Sequence, residues 1–232
     1  LDVNLGATQD VAFVSVRDSN ASGESVTVTE GDDLGNNTNW IFPSDRTWVG
    51  GTGGAETDWF DAANWTPSGV PTAVDDVFIP DGRSFYPVLT ANVPGITDLI
   101  VGAAASLDIN QYDITVTGTY SNPGTLSLFG AAGQVTAGIS ASAVEGTVNY
   151  NGTGSYTGLL LGSSYYHLSF ASGTYTLASP LAANATLSVD GGTLVTSGND
   201  ATVAGVLSVA GGELDQTSIV TADSMSVSGG LH

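Results

Sequence analysis

Short triplets of apolar, polar and apolar residues recur along the second half of the chain. They are Leu107-Asp108-Ile109, Leu126-Ser127-Leu128, Val148-Asn149-Tyr150, Leu168-Ser169-Phe170, Leu187-Ser188-Val189, Leu207-Ser208-Val209 and Met225-Ser226-Val227. Their first residues lie 19, 22, 20, 19, 20 and 18 positions apart. Because side chains alternate between the two faces of a strand, the outer residues of each triplet share a face. This period predicts an all-β fold, a right-handed parallel β-helix with about 18–22 residues per turn.

Equivalent positions in successive turns of a solenoid lie in line along its axis. We therefore expect the apolar triplet residues to stack as ladders in the core. The expected ladder residues are Leu107, Ile109, Leu126, Leu128, Val148, Leu168, Leu187, Val189, Leu207, Val209, Met225 and Val227. Glycine pairs at 191–192 and 211–212 follow two of these triplets. We expect them to adopt a positive φ at a corner, since glycine tolerates it without steric cost.

The pattern divides the chain into three zones. Residues 88–232 form the predicted solenoid, and residues 46–87 form a capping module that is rich in aromatic residues. Residues 1–45 contain two strand-like stretches, 11–16 and 25–29, which resemble the end of a preceding solenoid. Two strands cannot form a core alone, and the last triplet is followed by an incomplete repeat. We therefore expect the chain to be a segment of a longer protein.

A cap at the start of the solenoid is physically necessary, because an open end exposes core residues and unpaired strand edges. All four tryptophans lie in or just before the predicted cap: Trp40, Trp48, Trp59 and Trp65. The segment over 70–80 then enters an apolar strand bounded by prolines.

Charge excludes several classes of partner. The chain has 23 acidic residues against three arginines and no lysine, which gives a formal net charge of −20. Such a charge repels nucleic acids and anionic membranes, so neither is an expected partner. No apolar run approaches the roughly 20 residues of a membrane span, and we expect no membrane insertion. The absence of cysteine excludes disulfides as a source of stability.

Five stretches carry a resemblance to a known group of proteins. They are Asp18-Ser19-Asn20-Ala21-Ser22-Gly23, Gly35-Asn36-Asn37-Thr38-Asn39-Trp40-Ile41-Phe42, Thr47-Trp48-Val49-Gly50, the run from Asp58-Trp59-Phe60 to Asn64-Trp65, and Val70-Pro71-Thr72-Ala73-Val74-Asp75-Asp76-Val77-Phe78-Ile79-Pro80. Together with the repeats, they resemble modular secreted bacterial surface proteins of the adhesin-like and filamentous-haemagglutinin-like kind. The resemblance covers nearly the whole chain. It implies a secreted, extracellular protein of tandem modules with a structural or adhesive role, and it supplies no catalytic residues.

The predicted solenoid offers little for catalysis. A polysaccharide lyase on this fold would use aspartates for calcium and a basic residue to abstract a proton. No arginine or lysine occurs from residue 88 onwards, and His167 is the one histidine before the terminal residue. We therefore predict no catalytic residues and no enzymatic activity. A polysaccharide-degrading or carbohydrate-binding domain remains the alternative.

Acidic residues of the cap could bind a cation. Asp58, Asp61, Asp75 and Asp76 are candidate ligands for a structural calcium ion, since carboxylates and backbone carbonyls are its usual ligands. The alternative is that one aspartate of each pair hydrogen-bonds the backbone while its neighbour stays solvated. We predict no other cofactor.

The tryptophans allow two interpretations. Trp48, Trp59 and Trp65 could stack on sugar rings, or they could be buried anchors of a small cap, which is the commoner use of such residues. We expect a non-catalytic rod or a subunit of a self-assembling fibre. Its expected partners are copies or modules of the same surface protein, with surface glycans as an alternative.

Overall fold

The computed structural model of this chain describes residues 2–3, 11–23, 26–28, 30–42, 45–142 and 145–231. The strands before residue 45 are β1 (Asp2–Val3), β2 (Ala12–Val16), β3 (Ser22–Gly23), β4 (Val26–Thr27), β5 (Glu30–Asp33) and β6 (Trp40–Ile41). The next strands are β7 (Asp45–Trp48), β8 (Trp65–Thr66) and β9 (Asp76–Ile79). A single 3-10 turn, Ala62–Asn64, is the helical element of the described residues.

The remaining strands are short near the middle of the chain and longer near its end. They are β10 (Val93–Ile96), β11 (Leu99–Val101), β12 (Ser106–Asp108), β13 (Ile114–Val116), β14 (Tyr120–Ser121), β15 (Thr125–Leu128), β16 (Thr147–Tyr150), β17 (Ser155–Thr157), β18 (Ser164–Phe170), β19 (Thr174–Thr176), β20 (Leu181–Val189), β21 (Thr193–Val195), β22 (Ala201–Val209), β23 (Glu213–Asp215), β24 (Val220–Val227) and β25 (Gly230–Leu231).

Parallel pairing between successive coils builds a β-solenoid. A seven-stranded sheet has the order β12-β15-β16-β18-β20-β22-β24, and a five-stranded sheet has the order β17-β19-β21-β23-β25. Every neighbouring pair in these two sheets is parallel. From β16 onwards the two sheets take alternate strands of the chain, so each of these coils contributes one strand to each sheet. The predicted solenoid class is therefore confirmed.

The repeated triplets stand in register across the seven-stranded sheet. Their first residues form one continuous rank: Leu107, Leu126, Val148, Leu168, Leu187, Leu207 and Met225. Their third residues form a second rank: Leu128, Tyr150, Phe170, Val189, Val209 and Val227. Ile109, one coil before Leu128, is also fully buried. Met225 and Val227 are about half exposed, because β24 is the edge strand of the sheet.

Glycines in the C-terminal coils serve close approach between coils, and the positive φ that we expected at 191–192 and 211–212 is absent. A Cβ on Gly211 would lie 2.5 Å from the carbonyl oxygen of Asp190. A Cβ on Gly212 would collide with the carbonyl oxygen of Gly192. Glycine is needed here because the backbone of the preceding coil occupies the space of a side chain.

The predicted capping module, residues 46–87, is called the aromatic segment from here on. Its strands belong to the same stack of coils. A five-stranded sheet has the order β14-β11-β9-β7-β8, in which β7, β9 and β11 are parallel neighbours. Backbone pairing therefore continues from the aromatic segment into the first coils. β8 runs antiparallel to β7 and covers its outer edge. β7 is therefore paired on both sides, and the two-residue strand β8 forms the edge of this sheet.

Residues before 45 form further parallel pairs, β1 with β3, β2 with β5 and β4 with β6. β4 lies inside the strand predicted over 25–29, whose first and last residues fall outside the described part of the chain. Trp40 is half-buried and stacks on Phe42 with the ring centroids 6.0 Å apart.

Candidate functional site

The three tryptophans of the aromatic segment form a buried cluster. Trp48 and Trp59 both pack edge-on against Trp65, with ring centroids 4.9 and 4.8 Å away. None of the three is more than 1% exposed. The Trp65 indole donates a hydrogen bond to the carbonyl oxygen of Trp59 at 2.7 Å. The rings therefore present no open face on which a sugar could stack, which corrects their candidacy as ligand-binding residues and makes them core residues.

A buried asparagine holds the loop around this cluster. The side chain of Asn64 is fully buried, and its Oδ1 accepts from the Thr52 amide at 3.0 Å. Its Nδ2 donates to the carbonyl oxygens of Ala55 and Asp58 at 2.6 and 3.0 Å. These bonds fix a loop that has no regular structure of its own. The sequence gives one signal for the role of Asn64, which is its position directly before Trp65.

Asp75 forms an ion pair with Arg46. Its carboxylate is nearly fully buried, and Oδ2 accepts from the Thr72 amide at 2.8 Å and from the Thr72 hydroxyl at 3.0 Å. The same oxygen lies 3.4 Å from Nε of Arg46. Arg46 also donates from Nη1 to the Pro67 carbonyl oxygen at 2.8 Å. Removing Arg46 alone should destabilise the aromatic segment, because it would leave the carboxylate of Asp75 buried without its opposite charge.

Two further candidate calcium ligands accept hydrogen bonds from backbone amides in their own turns. Oδ1 of Asp58 accepts from the Phe60 amide at 3.0 Å, and Oδ1 of Asp61 accepts from the Ala63 amide at 2.9 Å. The second bond caps the 3-10 turn. Both are side-chain to backbone bonds of the kind that aspartate commonly makes in turns.

Asp76, the fourth calcium candidate, lies among other carboxylates. Its Oδ1 accepts from the Asp98 amide at 3.2 Å. Burial raises the pKa of Asp76 above its ordinary value, and the nearby charges of Asp98, Asp45 and Asp75 raise it further. Across the described residues, no three or more His, Cys, Asp or Glu side chains come together as a group that could hold a metal ion.

A groove at the middle of the solenoid has a loop on one side and, on the other, strand β17 with the loop that follows it. Residues 130–133 line one side of it, residues 155–160 line the other, and it encloses about 480 Å³. We call it the tyrosine groove after Tyr156, the one aromatic residue in its wall. No charged side chain lines it.

Tyr156 presents an aromatic surface to this groove. Its half-buried ring stacks on Tyr175 with the centroids 4.8 Å apart and the planes 16° from parallel. Tyr175 covers one face of the ring, and the Tyr156 hydroxyl accepts a hydrogen bond from the Gly154 amide at 3.2 Å. Ser155 and Thr157 are exposed and, because side chains alternate along β17, they lie on the face of the strand opposite Tyr156. Leu159 adds apolar surface from the adjoining turn.

Buried side chains tie down the first loop of the groove. Tyr175 donates from its hydroxyl to the Phe129 carbonyl oxygen at 2.9 Å and accepts from the Gly152 amide at 2.9 Å. The buried Gln134 accepts from the Gly130 amide at 3.1 Å through Oε1. Its Nε2 donates to two backbone carbonyl oxygens of the preceding coil. These hydrogen bonds fix the first loop to the core.

Two other buried tyrosines tie down the second loop. The hydroxyl oxygens of Tyr150 and Tyr165 lie 3.0 Å apart. Tyr165 donates to the Gly162 carbonyl oxygen at 2.8 Å, and Tyr150 accepts from the Leu161 amide at 3.2 Å. The proton between the two rings is then donated by Tyr150. Burial raises the pKa of both hydroxyls, so both remain protonated at neutral pH.

The sequence held only a weak signal for this groove. Tyr150 and Phe170 occupy the third position of their triplets, where the other coils have aliphatic residues. An aromatic residue with a hydroxyl group at a core position needs a hydrogen-bond partner, and this requirement indicates local polar structure. The partners are loop backbone groups that no repeat pattern identifies.

Comparison with known proteins gives one match. Residues 47–157 match a family model described as a domain of unknown function, DUF8693. No curated protein and no solved structure matches the chain. The matched range includes the tryptophan cluster and the coils as far as β17, one of the walls of the tyrosine groove. Within the described residues, no helix is long and apolar enough to cross a membrane.

Proposed function

We propose that this chain is a non-catalytic structural module of an extracellular bacterial surface protein, in which it acts as a rod. The observation that carries the proposal is the register of the seven-stranded sheet, in which each coil buries the same positions against the next. Such a stack sets the distance between its two ends by the number of coils. Seven strands separated by about 4.8 Å span about 29 Å.

The chemistry of the described side chains agrees with this role. The four aspartates of the aromatic segment that are candidates for ion binding all accept hydrogen bonds from nearby backbone amides. No arginine or lysine follows Arg83 in the sequence, and His167 is the one histidine before the terminal residue. General acid–base cleavage of an acidic polysaccharide needs a poised base beside the reacting carbon. Uncharged hydroxyl and amide groups suit a surface that is exposed outside the cell and makes few ionic contacts.

The repeat offers a direct test of the rod. Ser84 and Gln216 are exposed and lie towards opposite ends of the stack, and the chain has no cysteine that would take a spin label. We would label Ser84→Cys and Gln216→Cys and measure their separation by pulsed electron paramagnetic resonance. Deletion of residues 190–209 removes one repeat in register. We expect a narrow distance distribution that shortens by about 4.8 Å on deletion.

Duplication of the same residues serves as the matched control and should lengthen the distance by a similar amount. A broad distribution, or a distance that does not follow the number of coils, would contradict the rod. Incubation with acidic and neutral polysaccharides tests the absence of catalysis, and release of new chain ends would overturn it. Antibody labelling of intact cells of the source organism tests the extracellular location.

A further inference from the structure

The arginines of the chain differ in what they bond. Arg46 forms the ion pair with Asp75, and Nε of Arg17 donates to the Leu34 carbonyl oxygen at 3.2 Å. Arg83 makes neither an ion pair nor a hydrogen bond within the described part of the chain. Its side chain is half-buried, and its Nε is buried without a partner. Because a charge that is partly removed from water costs free energy unless it is paired, Arg83 gains stability from an anion.

Arg83 lies in the wall of a pocket next to the tryptophan cluster. We call it the Arg83 pocket; its volume is about 290 Å³. The rest of its wall consists of small, hydroxyl and apolar residues: Val49, Gly50, Gly51, Gly82, Ser84 and Phe85. Among these described wall residues there is no carboxylate, so the wall itself does not neutralise the guanidinium group.

We propose that the Arg83 pocket binds a small organic monocarboxylate, with its carboxylate on the guanidinium group and its apolar part against Phe85. This inference goes beyond the rod, because a stack of coils needs no such pocket. The Nε of Arg83 is buried, whereas Nη1 and Nη2 are open to solvent and unbonded within the described residues. The two ends of this fork match the two oxygens of a carboxylate, which they can bind in parallel.

Phe85 supplies apolar surface beside this charge. It is 44% exposed. A Cβ on Gly51 would lie 3.7 Å from Cδ2 of Phe85, so the ring lies along the glycine loop of the pocket. A carboxylate with an apolar body can therefore contact Phe85 and Arg83 together, whereas Arg83 repels a cationic ligand.

The charge of the whole chain selects an anion of low charge. The net charge of −20 opposes each anion in proportion to its own charge. A monocarboxylate is therefore favoured over a phosphate dianion and over an acidic second copy of this chain. Physiological salt screens exposed charges beyond about 8 Å, which weakens the distant repulsion more than the direct contact with Arg83.

The loop that forms one side of the pocket, residues 81–86, is fixed by the protein itself. The Trp48 indole donates to the Phe85 carbonyl oxygen at 2.8 Å. The Tyr86 hydroxyl donates to the Ala104 carbonyl oxygen at 2.9 Å. Ordering a loop on binding would weaken affinity, so a loop that is already held favours binding.

The test uses the whole chain with benzoate as the probe, benzamide as its uncharged counterpart and inorganic phosphate as an anion of higher charge. The three arginines give separate Nε–H signals in heteronuclear NMR, and the signal missing from Arg83→Gln identifies Arg83. At constant ionic strength, we expect benzoate to shift the Arg83 signal with a Kd of about 10 mM or tighter. Benzamide and phosphate should bind about tenfold more weakly or worse.

Variants locate the site, with binding followed by saturation transfer from protein to benzoate protons. Arg83→Gln should abolish binding, and Arg83→Lys, which keeps the charge but loses the fork, should weaken it about threefold or more. Phe85→Leu should weaken binding of benzoate more than binding of acetate. Arg17→Gln is the matched control, because it changes the net charge equally outside the pocket, and it should bind normally.

Three results would overturn the proposal. One is an Arg83 signal that does not move at about ten times the expected Kd, or that moves equally with benzamide. Another is an equal loss of binding in Arg17→Gln and Arg83→Gln. The third is a dimer in sedimentation that Arg83→Gln dissociates, since a carboxylate of a second copy would then fill the pocket. Binding is measured on the unlabelled chain, so this site and the rod fail separately.

Discussion

The central coils (residues 145–177) and the C-terminal coils (residues 181–227) share one sheet and one register but have different cores. The C-terminal coils stack leucine, valine and alanine, as at Leu187 and Leu207, and they contain no buried tyrosine; Thr196 is a fully buried polar side chain among them. The central coils place three buried tyrosines in the corresponding space. No tyrosine occurs after Tyr175.

This difference separates the side chains that stack one coil on the next from the side chains that hold loops in place. An aliphatic ladder suffices to stack one coil on the next, since the C-terminal coils do so. A buried hydroxyl costs free energy unless it is bonded, and it contributes little beyond an aliphatic residue to stacking alone. The hydroxyls of Tyr150, Tyr165 and Tyr175 bond the loops of the tyrosine groove. These three tyrosines, which we call the aromatic core of the central coils, therefore hold loops in position.

The largest expected effect comes from breaking the aliphatic ladder. Leu207→Asp places a carboxylate at a fully buried position between Leu187 and Met225. Loss of apolar burial and of the ion's hydration should lower the free energy of unfolding by about 5 kcal/mol or more, enough to unfold a typical domain. Ser208→Asp adds the same charge on the partly exposed outer face. It should cost less than about 1 kcal/mol.

Circular dichroism and urea denaturation measure both variants. If Leu207→Asp melts like Ser208→Asp, the ladder does not carry the stability of the C-terminal coils. The comparison between the two halves of the solenoid would then lose its basis.

The regular coils were predictable because their repeats are nearly identical in sequence. Alternation assigns Leu187 and Val189 to one face, and the spacing to Leu207 and Val209 assigns their neighbours in the next coil. Parallel pairing then follows without any information about loops. The prediction of a positive φ at the glycine pairs was wrong, because the sequence does not show how closely two coils approach. That distance depends on the backbone of another coil.

The candidate site was not predictable in the same way, because its bonds join distant positions that no period links. Tyr175 reaches Phe129, 46 residues away, and Gln134 reaches back 24 residues to Asn110. The pattern of hydrophobic and polar residues also does not predict whether an aromatic ring is buried. The Trp59 and Trp65 rings were candidates for a sugar surface until their mutual packing placed them in the core.

The second-largest expected effect is a loss of stability of the aromatic core at alkaline pH. Burial raises the pKa of Tyr150 and Tyr165 in the folded chain, while both titrate near 10 when unfolded. Their contribution is complete below pH 10 and is lost as the pH rises, because the unfolded chain then releases protons that the folded chain retains. Each group should lower the free energy of unfolding by about 1.4 kcal/mol per pH unit above 10.

Urea denaturation between pH 9 and 11.5 measures this slope. The double variant Tyr150→Phe, Tyr165→Phe should be less stable at pH 9 but show a shallower fall above pH 10. An unchanged slope in the double variant would mean that these hydroxyls titrate alike in the folded and unfolded chains.

The C-terminal coils should be sensitive to side-chain volume at their glycines. Gly212→Ala pushes a methyl group against the Gly192 carbonyl oxygen and the side chain of Val189. Because backbone must move, the free energy of unfolding should fall by about 1–3 kcal/mol. Gly53→Ala is the control, since a Cβ there meets nothing within 4 Å and φ is not positive. Thermal denaturation of both variants tests whether contact between coils, and not glycine itself, sets the cost.

The smallest effect separates loop positioning from stacking in the central coils. Tyr165→Phe keeps the ring and removes one hydroxyl, so the Gly162 carbonyl and Tyr150 hydroxyl lose a buried partner. The free energy of unfolding should fall by about 1–2 kcal/mol. Hydrogen exchange at the amides of Leu161 and Gly162 should accelerate more than exchange in the C-terminal coils.

Tyr166→Phe is the matched control for Tyr165→Phe, because its hydroxyl makes no hydrogen bond within the described part of the chain. Its exchange rates and stability should stay close to those of the unaltered chain. Equal exchange at Leu161 in the two variants would show that the second loop keeps its position without the buried hydroxyl. The aromatic core would then be an alternative way to fill a coil, and the tyrosine groove would lose its fixed second wall.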